Sequence, residues 1–419
     1  MLLKFAVENF MAFSSKIELN LEADLRTQKF NSNIIFNPLG NSVKSLAIYG
    51  PNNTGKTCLL NAINQYKLVL LNKPFNIDCN LFEKSTVATF SSEFIWDSER
   101  YSYSFSYNQA TEAFVEENLT QVSIDQHGNK SKKVLFYRNT ENKKANSISD
   151  DLKKVIKFAS KDNILINTLD TSNFELLKKA KELLRGFAES ITVLSMQKPS
   201  PNKTIEVLKN PNSNEARQIV ELIRSADLDI DNFMFDEKSD VLVNNNIENE
   251  VGKDKKESFT EMLKLISVHK GIPLPSLIYD SLGTRKFVSL AGYVIAALNN
   301  GGCLFVDEFD SGIHFKLSRA IVSLFNSVEN TNCAQLVFST HDVSLLDLKN
   351  LFRKEQIWFT HKDDAQVYLY PLSDFTAQNS GIRLESNLYD LYSKGVLGAL
   401  PEPSLIDVLL MGRQDNCNE

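Results

Sequence analysis

The residues best equipped for chemistry are Gly50-Pro51-Asn52-Asn53-Thr54-Gly55-Lys56-Thr57, which fit G-x-x-x-x-G-K-[ST]. Glycines at both ends let the backbone turn tightly and aim N–H groups at phosphate oxygens. A lysine at this spacing reaches the β- and γ-phosphates of a nucleotide, and the hydroxyl after it ligates Mg²⁺. Cys58 continues the same phosphate-binding run. A second group lies far along the chain, where the apolar run Gly301-Gly302-Cys303-Leu304-Phe305-Val306 ends in Asp307-Glu308. An aspartate so placed orders Mg²⁺, and the adjacent glutamate polarises an attacking water. Alone, the pair also reads as a strand ending in an acidic turn; with the glycine-rich loop it reads as the second half of an ATP site.

Two smaller signals lie near these. Ser281-Leu282-Gly283-Thr284 opens a helical pattern 24 residues (from Gly283) before Asp307. A hydroxyl and free N–H groups at a helix start suit a phosphate, and they equally suit a plain helix cap. His341 follows the buried run Gln335-Leu336-Val337-Phe338-Ser339-Thr340. At the carboxyl end of a strand in an open α/β sheet, ligands bind. A lone histidine there is often structural, but beside the other two motifs it is assigned to the γ-phosphate.

The elements around these residues are consistent with that reading. Ser45–Tyr49 is a short buried strand entering the loop, and helical spacing leaves it to about Leu71. The opening 50 residues alternate as strands, and 87–124 reads as an antiparallel meander. Its row Tyr101, Tyr103, Phe105, Tyr107 is a packed sheet face in the first instance and a base-stacking platform in the second. Residues 148–228 carry helix-period apolar positions with lysines on the outer faces, and 244–257 are too polar to bury. The organisation expected is an N-terminal lobe over 1–130 with the phosphate loop, a helical insert over 131–275, and a C-terminal lobe over 276–419.

Composition narrows the class. Of 419 residues, 42% are apolar and 23% charged, with a formal net charge of −6. That is an ordinary globular balance and gives no bulk support for a broad duplex-binding surface. Five scattered cysteines form no C-x-x-C pair, and no apolar run reaches membrane-spanning length. The expectation is a soluble, cytoplasmic protein with no membrane partner and no signal peptide.

Taken in order, the phosphate loop (Walker A), the Ser-x-Gly-Thr signature, the Asp-Glu pair (Walker B), Asp310-Ser311-Gly312-Ile313-His314 (D-loop) and His341 (switch histidine) resemble the ATP-binding-cassette (ABC) ATPases. The SMC/Rad50/RecF-like branch is the nearer likeness. The opening Glu8-Asn9-Phe10-Met11-Ala12-Phe13 and the closing 392–401 resemble the prokaryotic AAA-15 ATPases of anti-phage and abortive-infection systems. Val396-Leu397 stands where that family carries Arg-Phe, and Phe309 where transporter cassettes carry Pro. The resemblance implies an α/β fold: an ABC-type P-loop head with an antiparallel β subdomain and an inserted helical lobe. It implies ATP and Mg²⁺, with Lys56, Glu308 and His341 catalytic and Thr57 and Asp307 on the metal. It also implies a homo-oligomer, at least a dimer, in which Ser281 and Gly283 of one copy close on ATP held by Lys56 of another. Gln121 and Gln126 are weak candidates for the glutamine of the Q-loop, the further conserved loop of these sites.

The stretch from Gly55 to Ser281 spans 226 positions, too long for a transporter cassette and without the heptads of a Rad50-like coiled coil. The 78 residues after His341 show no acidic cluster suited to two-metal nuclease chemistry, so any nuclease is expected as a separate chain. The reading is an ATPase sensor or regulator of a defence system. It would hold an effector, a Toprim-like or related nuclease as in the phage anti-restriction-induced system, until a phage-encoded trigger acts. The first rival is a RecF-like repair ATPase that binds DNA directly, and the second is an ATP-gated scaffold that does not hydrolyse.

Overall fold

Period-two burial organises the first of the two main sheets of the computed structural model, which describes residues 1–124, 130–168, 173–226, 228–237, 261–364, 366–375 and 387–398. In the first, β1 (Leu2–Glu8) lies between β2 (Ile17–Asn20) and β6 (Val87–Trp96), and the meander continues through β7 (Glu99–Asn108), β8 (Ala113–Ile124), β9 (Lys130–Asn139) and β10 (Lys144–Ser147). All its pairings are antiparallel. The aromatic row is a packed face. Tyr103 and Phe105 are buried, and the Phe105 ring stacks on Tyr66 at 5.6 Å between centroids. A short ladder of β3 (Ile34–Ile35) and β4 (Ser42–Val43) leads into the second sheet.

That second sheet contains β5 (Ser45–Tyr49), β11 (Ile191–Ser195), β15 (Cys303–Asp307), β16 (Gln335–Ser339), β17 (Ile357–Asp363) and β18 (Gln366–Pro371), in the order β11-β15-β16-β5-β17-β18. Every pairing is parallel except that of β18. Because both faces are covered, its strands read as continuous apolar runs. Leu46, Ile48, Phe305 and Val337 share one core with the helix Lys56–Leu70 and the antiparallel sheet. Ala47, Tyr49, Leu304, Val306, Leu336 and Phe338 share the other with the helices Leu282–Asn300 and Phe315–Asn326. All five parallel strands therefore carry their carboxyl ends to one edge, and β16 separates the phosphate-loop strand from the Asp307 strand.

The fold is mixed α/β, and residues 131–275 are less helical than the spacing alone predicts. Helices form over Asp150–Ile156, Glu175–Glu189, Asn202–Leu208 and Asn214–Arg224. The same stretch completes the antiparallel sheet with β9 and β10 and supplies edge strand β11 of the parallel sheet. It also gives β12 (Asn232–Phe235), β13 (Leu265–His269) and β14 (Ile272–Pro275), a small third sheet. Strand β11 is five residues long, too short to stand out beside the fifteen-residue amphipathic helix Glu175–Glu189. The polar stretch 244–257, Gln126 and the end of the 392–401 element lie outside the described residues. Among the described residues no helix is long and apolar enough to cross a membrane.

Candidate nucleotide site

The phosphate loop connects β5 to the helix Lys56–Leu70, and its glycines are required by space as well as by conformation. Gly50 has φ +154°, and a Cβ there would lie 2.1 Å from Thr360 Oγ1. Gly55 has φ +88°, and a Cβ would lie 2.9 Å from the Phe13 ring, which the opening 8–13 turn inserts beneath the loop. Any side chain at either position would collide. Thr54 is buried and donates to Pro51 O at 2.7 Å, while Asn52 and Asn53 are exposed on the outside of the loop. Lys56 is buried, and its Nζ donates to Gly50 O and Pro51 O, each at 2.7 Å. Burial lowers its pKa to about 8, with Asp307, Glu308 and Asp310 pulling the other way. The loop carbonyls thus hold an ammonium where phosphate oxygens are far better partners. Cys58 turns its half-buried thiol toward the Ala12 backbone, so its part in a cradle is its amide.

Thr57 and Asp307 meet although 250 positions apart: Thr57 Oγ1 donates to Asp307 Oδ2 at 2.8 Å. The other Asp307 oxygen accepts from Ser339 Oγ at 2.5 Å. A hydroxyl and one carboxylate beside a phosphate cradle fit Mg²⁺, which takes few protein ligands and completes its shell with phosphate and water. Among the described residues no cluster of three or more His, Cys, Asp or Glu could hold a metal by itself.

Glu308 stands on a turn in the left-handed region, φ +52°. Such backbone in a residue other than glycine is uncommon and persists where neighbours hold it. Ser339 Oγ accepts from the Glu308 N–H at 2.8 Å, and Phe309 is fully buried against the Phe338 ring. This explains phenylalanine at position 309: it anchors the turn in the core. Asp310 accepts from the His341 N–H at 3.2 Å, joining the turn to the end of β16. The His341 ring opens to solvent, and its pKa is lowered by partial desolvation and then by the Lys56 charge. A neutral imidazole at this strand end can accept or donate one hydrogen bond.

One residue escaped the sequence reading. Gln197, two positions beyond β11, donates from Nε2 to Glu308 Oε1 at 2.6 Å. Gln121 lies instead on β8 in the antiparallel sheet. The available signal was a glutamine just after a short run that opens on three β-branched residues, Ile191-Thr192-Val193-Leu194-Ser195-Met196. Replacing Gln197 by Ala frees the Glu308 carboxylate, and kcat for ATP is expected to fall about tenfold, roughly 1.4 kcal/mol, with KM within threefold. Steady-state hydrolysis measures this, and an unchanged kcat would remove Gln197 from the site.

A family profile described as "AAA domain, putative AbiEii toxin, Type IV TA system" matches residues 45–347, from the start of β5 to just past His341. The chain belongs to this AAA domain family. It is an ATPase, with the phosphate loop and the Asp307-Glu308 pair inside the matched region. Among solved structures the AAA domain protein is similar to the SMC head domain from Thermotoga maritima. The identity is 13% and the TM-score 0.41, over 88% of this chain and 98% of that one. It is also similar to an SMC head bound to the C-winged helix domain of ScpA, at 12% identity and TM-score 0.44, over 88% and 97%. No curated protein sequence matches it.

The signature Ser281-Leu282-Gly283-Thr284 makes a local helix cap. Ser281 caps the helix Leu282–Asn300, its Oγ accepting from Thr284 N at 3.1 Å. Ser281 and Leu282 are exposed, and no hydrogen bond joins Ser281 or Gly283 to the phosphate loop among the described residues.

Proposed function

We propose that this AAA domain ATPase is the ATP-binding and -hydrolysing sensor or regulator subunit of a bacterial anti-phage defence system, of the kind formed by the AAA-15 group. An ATP-gated oligomer of at least two copies would hold a separate effector, a nuclease, and release or activate it when a phage-encoded trigger arrives. The observation that carries the oligomer is the split site. Lys56, Thr57, Asp307, Glu308 and His341 converge, while exposed Ser281 and half-buried Gly283 form a helix start that a second copy's nucleotide would complete. The family description, which names an AbiEii toxin and a type IV system, supports the defence role.

In this reading Lys56 and the loop amides bind the β- and γ-phosphates, and Thr57 and Asp307 would hold Mg²⁺, which when bound would supply neutralisation of charge on the phosphates. Glu308, aimed by Gln197, orients the attacking water. His341 donates to the γ-phosphate from its neutral ring.

Purification of a tagged Glu308→Gln chain from its native operon with ATP, beside Lys56→Ala, tests the assignment. An oligomer carrying a second protein, weakened in Lys56→Ala, is the expected result. A chain that comes alone, or that brings DNA bound in a salt-sensitive manner, overturns the effector-holding reading in favour of a RecF-like repair ATPase.

A further inference from the structure

Lys286 is a buried ammonium with an unusual set of neighbours. It lies in the second turn of the signature helix, 7% exposed, and among the described residues no carboxylate pairs with it. Its Nζ donates to Ser311 Oγ at 2.9 Å, the one hydrogen bond it makes among the described residues. Its methylene stem runs along the D-loop: a Cβ on Gly312 would lie 3.3 Å from Lys286 Cδ. A second contact joins the same two segments, since a Cβ on Gly283 would lie 2.5 Å from Gly312 O. Burying a lysine with so few partners costs stability, so packing alone does not account for it.

The far side of the D-loop belongs to the chain's own catalytic turn. Ser311 N–H donates to Glu308 O at 2.8 Å, and Asp310 accepts from His341 N–H. Lys286 therefore links the signature helix, whose first residues Ser281 and Leu282 are exposed, to the turn that carries Glu308. Gln197, which holds the Glu308 carboxylate, and Lys286 line the same cavity of about 220 Å³.

We propose that Lys286 is a positioning residue that clamps the signature helix to the Ser311-Gly312 turn, so that engagement of the signature by a second copy's nucleotide sets Glu308 at the chain's own. The clamp rests on the composite-site reading above. It makes hydrolysis at the two sites of a dimer interdependent, through one hydrogen bond and one glycine contact within each chain.

The test uses full-length Lys286→Met, Lys286→Arg and Ser311→Ala, with ATP turnover, ATP-dependent mass and thermal unfolding as readouts. Methionine keeps the volume and removes the buried charge, so Tm is expected to hold or rise while kcat falls roughly ten- to hundredfold, the scale of one hydrogen bond to a charged group. KM stays within threefold, arginine recovers at least half of the lost turnover on a logarithmic scale, and Ser311→Ala repeats the kcat loss without touching the core. In the Glu308→Gln background, Lys286→Met still assembles with ATP. A kcat within twofold of the parent in both Lys286→Met and Ser311→Ala overturns the clamp. A fall in Tm that accounts for the lost activity, with Ser311→Ala unaffected, overturns it too, as a structural role. If Glu308→Gln alone fails to assemble with ATP, the composite site itself is overturned, which the first two outcomes leave standing.

Discussion

A Glu308→Gln chain is expected to bind ATP within about threefold of the parent affinity and to hydrolyse it at least a hundredfold more slowly. The two side chains have nearly the same shape, so the left-handed turn, the Ser339 contact to its N–H and the Phe309 anchor all survive the change. What is lost is the carboxylate charge that orients and polarises water. Removing a group whose interaction strengthens only in the transition state lowers kcat without raising KM, and a hundredfold corresponds to about 2.7 kcal/mol. The change falls on chemistry and spares the phosphate cradle, because Lys56 and Thr57 stand on another element. Single-turnover hydrolysis beside equilibrium ATP binding separates the two effects. Turnover within fivefold of the parent would show that Glu308 is not the water-orienting acid and would turn attention to Asp310.

What the sequence disclosed about this site follows from how each part is built. The phosphate loop, Asp307-Glu308 and the Ser-Thr-His ending of β16 are each contiguous, because a backbone cradle or a strand-end acid pair needs neighbouring residues. Their chemistry can therefore be read before any fold is known. Gln197 has no such local requirement. It needs only to arrive beside Glu308, and β11 brings it there by pairing in parallel with β15, residue for residue from Ile191 with Cys303 to Ser195 with Asp307. The same pairing was invisible in a stretch dominated by helical spacing. Lys286 illustrates the opposite error of scale. As one lysine on a helical pattern it carries no local signal, whereas the fold buries it against a turn that begins at Glu308. The aromatic row of β7, by contrast, was legible as a sheet face because period-two spacing is itself the geometry of a strand.

Replacing Lys56 by Met is expected to lower ATP affinity at least a hundredfold and to abolish the ATP-dependent oligomer. Two charge-assisted hydrogen bonds to phosphate, at about 1.5–3 kcal/mol each, are enough for that loss. The variant also isolates a property of the empty loop. Lys56 is buried, and desolvation already lowers its pKa to about 8, so the folded chain carries a strained ammonium tied to Gly50 O and Pro51 O. Methionine removes that buried charge while keeping the stem, and without nucleotide the Tm is expected to be unchanged or higher. With ATP the order reverses. A ligand at a hundred times its Kd stabilises the native state by about 2.7 kcal/mol, and the parent gains this while the variant does not. Thermal unfolding with and without ATP-Mg²⁺ therefore gives crossing curves if Lys56 serves the phosphates. A variant that loses stability without nucleotide yet still gains from ATP would mean that the lysine holds the loop and does not bind the ligand. The Gly50 and Pro51 carbonyls, 2.7 Å from the ammonium, would then be its permanent partners.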